Sequence, residues 1–375
     1  MNTQEKLDIL SGDSQYDLAC ACGTDERSRR HRSADGKSWL YPVPLTRGGY
    51  GILLKTLISN VCVSDCRYCP LRSDGKASHR CSLVPDELAA EFIRILRKRW
   101  LLGIFLSSGI VGNPDRTMQL LTDTAAILRR KYHYKGYIHL KIIPGASLEA
   151  IRTALSLATA VSLNIEAPNA RRFAALSSFK NYESGIIAPL KFLADETRRG
   201  AEFGKVKCTT QFIVGASDES DREIVGTMGA IYRKLRFERV YFSAYQSGLG
   251  DRGLPGEQRF SLAPEDRLTR EHRLYQTDFL LRSYHFAPEE ILFGQDGNLD
   301  LERDPKDVWA TAHPELFPLP VNRADKELLL RVPGLGPVAV GRILEARGMT
   351  HLRTLADAGL TGKLAVKAAG FLDFS

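Results

Sequence analysis

The 375-residue chain has no apolar run near the ~18 residues of a membrane-spanning helix. Met1 to Gly12 is polar and lacks the apolar centre of a secretory leader. Both features lead to the expectation of a cytoplasmic protein with no membrane partner. Acidic residues are outnumbered, 44 against 52 Lys and Arg, giving a formal charge of +8 and a pI of about 9.1. That balance favours a polyanionic partner. There are seven cysteines, an odd count, and in a reducing compartment clustered cysteines mean metal or redox chemistry rather than disulfides. Long-period repeats and low-complexity tracts are missing as well. Hydrophobic residues make up 43%, enough for a large core and against global disorder. The length fits a barrel plus a small appended module.

The segment up to about Ser38 is polar and carries Cys20, Cys22 and the basic run Arg27, Arg29, Arg30, His31, Arg32. It reads as a solvated lead-in. Short apolar runs then alternate with amphipathic stretches. Strands are expected at 53–61, 104–108, 137–143, 160–166, 207–214 and 239–244, and helices at 85–100, 115–132, 147–157, 186–199 and 221–235. Pro85 suits a helix start, where its missing N–H costs nothing. Strand-then-helix alternation gives a parallel sheet, and six units make a partial (β/α)6 TIM-like barrel with its chemistry at the strand C-termini. Residues 264–284 read as a charged amphipathic helix and residues 300–322 as a linker rich in Pro and Asp. The division expected is 1–48 extension, 49–290 barrel, 291–322 linker and 323–375 an all-α helical module.

Directly after the first expected strand comes Cys62-Val63-Ser64-Asp65-Cys66-Arg67-Tyr68-Cys69-Pro70. Three thiolates on one short loop can hold three irons of a [4Fe-4S] cluster and leave the fourth open. A structural zinc would need a fourth ligand, and no second Cys or His pair follows at zinc spacing. CxxxCxxC with an aromatic residue before the last cysteine resembles the radical SAM superfamily, over roughly residues 50–287. The resemblance implies that S-adenosylmethionine (SAM) binds the open iron. One electron would then break its sulfonium C–S bond to give a 5′-deoxyadenosyl radical. An electron donor such as flavodoxin or ferredoxin is implied with it.

The superfamily's pattern carries over residue by residue. Ser107, Ser108 and Gly109 match the backbone segment ending strand two that contacts the SAM amino group, although the usual glutamate is absent here. Ser162, Asn164 and Glu166 alternate on one face of strand four, as contacts to ribose hydroxyls require; an internal hydrogen-bond network is the other reading. Lys141 suits either the SAM carboxylate or Glu166. Ile213 matches the residue that packs on adenine, with Gln211 in place of the family's first glycine, and Tyr68 would place its backbone at the adenine edge. Tyr241 and Tyr245 face substrate or pack. Cys20, Cys22, Cys81 and Cys208 remain, with an auxiliary cluster or plain thiols as the alternatives.

Leu330-Arg-Val-Pro333-Gly334-Leu335-Gly336-Pro337-Val338-Ala-Val-Gly-Arg342-Ile343 resembles the helix-hairpin-helix motif of DNA repair proteins. Its glycines admit close backbone approach to a phosphate, and N–H groups at the second helix start face the anion. Arg331, Arg342 and Arg347 add positive charge nearby, and a poorer copy follows at 352–371 with Lys363 and Lys367. Such motifs bind DNA backbone without reading sequence; a protein-interaction bundle is the alternative. With the opening Lys6-Leu-Asp-Ile-Leu10 and Tyr16-Asp-Leu-Ala-Cys20, the whole chain resembles a family described as DNA modification or repair radical SAM proteins. That family is often encoded beside a uracil-DNA-glycosylase-like protein, which becomes an expected partner. The function expected is therefore a radical SAM enzyme acting on DNA. A radical SAM enzyme modifying tRNA and a non-enzymatic DNA-binding Fe–S adaptor remain as rivals.

Overall fold

All six expected strands form, in order, and a seventh joins them at one edge. In the computed structural model, residues 1–14, 40–44, 49–75, 79–258 and 264–375 are described. The strands are β1 (Leu40–Pro44), β2 (Tyr50–Leu57), β3 (Gly103–Ser107), β4 (Tyr137–Lys141), β5 (Ala160–Ser162), β6 (Lys207–Val214) and β7 (Arg239–Ala244). They lie side by side in chain order. Each of β2 to β7 is parallel to the next, and β1 runs antiparallel to β2. The helices are α1 (Thr3–Asp13), α2 (Pro85–Lys98), α3 (Pro114–Ala126), α4 (Leu148–Leu157), α5 (Ala170–Ala174), α6 (Ala188–Thr197), α7 (Asp221–Ala230), α8 (Pro255–Gln258) and α9 (Pro264–Ser283). Helices on the connections between parallel strands make this a partial (β/α)6 barrel. Period two sorts its side chains. On β6 and β7 the fully buried Phe212 and Phe242 stack with centroids 6.1 Å apart, while Gln211 and Ile213 point to the opposite face. Burying an aromatic of this size contributes about 1.5–3 kcal/mol.

Two expectations change. The N-terminus is not a solvated lead-in over residues 1–14. Leu7 and Leu10 are fully buried on α1, which packs on β2 and α2. Asn2 caps the helix by accepting from Glu5 N at 2.9 Å, and Glu5 Oε2 accepts from Asn2 N at 2.9 Å. The basic run and Cys20 and Cys22 lie outside the described residues. The strand expected over 160–166 stops at Ser162, because the Thr210 hydroxyl breaks into the ladder. It accepts from Ile165 N at 3.0 Å and donates to Leu163 O at 2.8 Å. Pairing resumes at Glu166, which bridges to Phe212.

Two compact units form: Met1–Glu219 with Ile231–Leu268, and Ser220–Ala230 with Thr269–Ser375. In the second, the stretch expected as linker holds helix α10 (Pro305–Ala312). Then come α11 (Lys326–Arg331), a tight turn, α12 (Pro337–Arg347) and, after a 3-10 turn at Leu355–Ala358, α13 (Lys363–Ala369). Leu329, Leu330, Val332, Val340, Ile343 and Leu352 form a core without solvent exposure. A two-residue parallel pairing of β8 (Leu319–Pro320) with β9 (Leu372–Asp373) adds to the all-α expectation. Asp221, fully buried, accepts from Arg270 Nε at 2.8 Å and from Leu299 N at 2.9 Å.

Gly334 has φ +86°, and a Cβ there would stand 2.5 Å from Leu364 O, whereas Gly359 (φ +67°) has open space. Gly359→Ala should cost only the left-handed strain, about 1 kcal/mol. Gly334→Ala must also displace a backbone carbonyl and should cost about 3 kcal/mol. Urea unfolding of the two variants of the full chain measures the difference.

Candidate functional site

The C-terminal ends of the strands surround a cleft, where barrels of this kind place their chemistry. Cys62, Cys66 and Cys69 line it, together with Tyr68, Ser107, Ser108, Gly109, Lys141, Asn164, Glu166 and Ile213. The residues singled out in the sequence for cluster and cofactor thus come together from β3, β4, β6, the segment after β5 and the loop after β2.

That loop is held by its backbone. Gly109 N donates to Ser59 O at 2.8 Å and Val63 N to Ile110 O at 3.0 Å. Gly109 is needed for the approach, since a Cβ would meet Val61 O at 2.4 Å and Cys62 Cβ at 3.0 Å. Cys62 Sγ accepts from Ile110 N at 3.3 Å and Ser64 N at 3.4 Å, and Ser64 Oγ lies 3.2 Å from Cys66 Sγ. A second tether runs to the loop after α5. Asp65 accepts from Ser177 Oγ and Ser178 Oγ, each at 2.5 Å, from Ser178 N at 2.8 Å and from Phe179 N at 3.1 Å. Partial burial pushes its pKa up, but these four hydrogen bonds outweigh it and hold the carboxyl at about 2 rather than 3.8.

The facing wall is polar and strained. Glu166 sits at φ +64°, a left-handed backbone that costs a glutamate ~1–3 kcal/mol. Its Oε1 accepts from Tyr68 Oη at 2.9 Å, so Tyr68 offers its side chain as well as its backbone to the site. Burial raises Glu166 above its ordinary value, with Lys180, Lys141 and bonds from Tyr68 and Asn164 acting against it. Glu166 Oε2, Asn164 Oδ1 and Gln211 Nε2 are buried and find no hydrogen-bond partner. Leaving a buried polar atom unsatisfied costs about 1–3 kcal/mol, so these atoms are placed for something the polypeptide does not supply.

Lys180 is the residue the sequence reading missed. It lies on the tethered loop and lines the cleft beside the three cysteines. Burial works against its charge, but Cys66 and then Glu166 outweigh that and hold the ammonium above its ordinary value. Nothing in the sequence near Lys180 marks it; Asp65, inside the cysteine motif, was the available signal for its loop. Asp13 and Gln211 also line the cleft. Ser162 lies deeper, its Oγ 2.9 Å from His139 Nε2. Tyr245 is buried and donates to Glu257, while Tyr241 packs under Arg239. Cys81 is engaged through its backbone, its N donating to Asn60 Oδ1 at 2.7 Å. Cys208, near the start of β6, stands 3.4 Å from Thr197 Oγ1.

Burial first, then the neighbouring Cys66, pushes Cys69 up to about 12, so a bound metal is what would draw its proton away. No three His, Cys, Asp or Glu among the described residues converge on a single ion. A multi-iron cluster asks instead for one sulfur at each iron. Backbone N–H groups on Cys62, the close fit at Gly109 and the unsatisfied atoms opposite fit such a cluster with a polar cofactor beside it.

In the second unit the hairpin glycines serve packing. Gly334 lies against Leu364 O, and a Cβ on Gly336 would stand 3.2 Å from Tyr284 Oη. Val338 is 74% exposed and Arg342 is exposed. The charge expected from Arg331 and Arg347 is spent internally. Arg331 donates to Glu290 Oε1 at 2.8 Å, and Arg347 to Ala324 O at 2.6 Å. Lys367 pairs with Asp307 at 2.5 Å.

The chain has likenesses among solved structures. HydG, a maturase of the [FeFe]-hydrogenase, aligns with TM-score 0.46 and 13% identity over 60% of this chain and 49% of that one. HydG from Carboxydothermus hydrogenoformans gives 0.46 and 15% over 61% and 51%, and Streptococcus suis SuiB gives 0.44 and 14% over 74% and 54%. The chain spans about half the length of these proteins. No protein-family model matches it, and no curated protein does. Among the described residues, no helix is long and apolar enough to cross a membrane.

The Asp65 clamp is pH-dependent in a defined direction. A depressed acid stabilises above its unfolded value and loses that contribution as pH falls toward the folded one. Wild type should exceed Asp65→Asn in stability by about 1 kcal/mol near neutrality. The gap should close as pH falls from 3.8 toward about 2, as read from paired unfolding curves.

Proposed function

We propose that the chain is a radical SAM enzyme whose substrate is DNA. The observation that carries the first part is the cleft itself. Three thiols of a CxxxCxxC loop share it with Asn164 Oδ1, Glu166 Oε2 and Gln211 Nε2, buried polar atoms without protein partners. Cys62, Cys66 and Cys69 would hold a [4Fe-4S] cluster, and the wall opposite would hold SAM. When bound, the pair supplies one-electron cleavage of a sulfonium C–S bond and, from it, hydrogen abstraction from an unactivated position.

The chain's own residues do the rest. Backbone N–H groups of Ser64 and Ile110 donate to Cys62 Sγ and fix its position in the cleft. Asn164 and Glu166 offer acceptors to hydroxyl or amino groups of the cofactor, and Tyr68 fixes the Glu166 rotamer. Ile213 supplies an apolar surface, and Ser107 to Gly109 present backbone at the cleft edge. Lys141 acts on Glu166 as a second cation.

DNA as substrate is supported by the net charge of +8 and by the Pro333-Gly-Leu-Gly-Pro337 turn between α11 and α12. Exposed Arg342 and Lys363 and the α12 N-terminus are groups available to meet phosphate. A target nucleotide would have to leave the stack to react. The electron would come from a donor such as flavodoxin or ferredoxin, and a uracil-DNA-glycosylase-like protein is the expected companion in repair.

Reconstituted anaerobically, the wild type should bind about four irons per chain and form 5′-deoxyadenosine from SAM with a low-potential reductant. Cys62→Ala, Cys66→Ala and Cys69→Ala should lose both properties. Glu166→Gln should keep its iron and bind SAM about tenfold more weakly, a change of about 1.4 kcal/mol. Duplex DNA should stimulate 5′-deoxyadenosine formation and tRNA should not; the opposite pattern would make tRNA the substrate. No SAM cleavage at all would leave the adaptor reading.

A further inference from the structure

Asp13 is the last residue of α1 and lines the cleft together with the three cysteines. It is 9% exposed, and it stands at a helix C-terminus, where the backbone dipole disfavours negative charge. Asn60 Nδ2 donates to its Oδ2 at 2.7 Å. That donor is a neutral amide, and among the described residues no lysine, arginine or histidine pairs with the carboxylate. A buried charge with so little compensation is costly to the fold by itself. Its position is nevertheless built. Asn60 is fully buried, with Nδ2 also donating to His79 O at 3.0 Å and Oδ1 accepting from Cys81 N at 2.7 Å. The residue before it, Ser59, accepts at its carbonyl from Gly109 N at 2.8 Å and from Ser108 Oγ at 3.5 Å. The carboxylate is thus anchored next to the residue that backs the Ser108–Gly109 edge of the cleft.

We propose that Asp13 is the carboxylate that binds the amino group of SAM. The proposal rests on the cofactor reading above and adds to it a residue from outside both the cysteine motif and the barrel strands. An amino group carries N–H donors, and a donor buried from water needs an acceptor. Two carboxylates line the cleft, Asp13 and Glu166. Glu166 Oε1 already accepts from Tyr68 Oη, and its Oε2 forms with Asn164 Oδ1 and Gln211 Nε2 a patch of two acceptors and one donor, which suits hydroxyl groups. Asp13 comes from the β2 side. Asn60 takes Oδ2 and leaves Oδ1 for a ligand. Hydrogen bonds to an ionised acceptor are about twice as strong as neutral ones, so the charge that α1 leaves uncompensated strengthens the grip on a donor.

The test compares wild type, Asp13→Ala and Asp13→Asn as full chains, reconstituted anaerobically, with iron counted in each. Isothermal titration calorimetry without reductant, so that SAM stays intact, measures two ligands: SAM and its deamino analogue, in which hydrogen replaces the amino group. Asp13→Ala should bind SAM about tenfold more weakly than wild type and the deamino analogue equally well. Asp13→Asn keeps a neutral acceptor and should fall between, about threefold weaker for SAM alone. Should Asp13→Ala lose iron, Asp13→Asn decides: weakening confined to SAM supports the proposal, and unchanged SAM affinity overturns it. Equal weakening of both ligands in the variants would make Asp13 a brace for Asn60 and also overturn it, leaving the SAM reading intact. A wild type that holds its iron and binds neither ligand would remove the SAM reading itself, and the proposal with it.

Discussion

Asp65 joins two loops that are far apart in the chain, and the cleft depends on that joint. Its carboxylate accepts four hydrogen bonds from Ser177, Ser178 and Phe179. A short loop with three cysteines has many accessible conformations, and ordering each residue's backbone costs about 1–2 kcal/mol. Here the ordering is shared. Gly109 and Val63 pin the loop from the β3 side, and Asp65 and Arg67 pin it from the side of α5. The same clamp that orders the thiols also orders the loop that brings Lys180 into their cleft. Scaffold and electrostatics are therefore coupled: a change at Asp65 reaches the thiols by geometry and by charge.

The polar wall opposite shows a different constraint. Protein interiors pair their buried polar atoms, yet Asn164, Glu166 and Gln211 each leave one unpaired in the same cleft. Glu166 adds a left-handed backbone, and the Thr210 hydroxyl interrupts β5 just before it. The interruption frees the segment after Ser162 from the ladder, so that Glu166 can turn inward. Unsatisfied atoms and strain at one place mark a surface shaped for a ligand rather than for the apo fold.

The second unit separates what a motif contains from what its residues do. The Pro-Gly-x-Gly-Pro turn forms between two helices. Gly334 is required because Leu364 O leaves no room for a Cβ, which is a packing reason. Arg331 and Arg347 bind Glu290 and backbone carbonyls, leaving Arg342 as the exposed arginine of the three. Charge counted along a sequence overstates charge presented to a partner whenever side chains find internal acceptors first.

Period-two and period-3.6 patterning were legible enough to place β6 and β7 at their observed bounds, and α4 within one residue. The triad was legible because its ligands are local: spacing alone puts Cys62, Cys66 and Cys69 on one loop. Helix α1 was missed because its buried face mixes two apolar residues, Leu7 and Leu10, with polar Ser11 and Asp13. Lys180 was missed because one lysine in a loop looks like any solvated lysine. The sequence by itself determined the order of strands and helices and the local cysteine loop, since hydrophobic period and ligand spacing are properties of neighbouring residues. Only the tertiary structure decided that Glu166 turns inward with one carboxylate oxygen unpaired, that two of three hairpin arginines are occupied, and that Lys180 enters the cleft of the cysteines. Those outcomes depend on which distant groups the fold brings within hydrogen-bond reach.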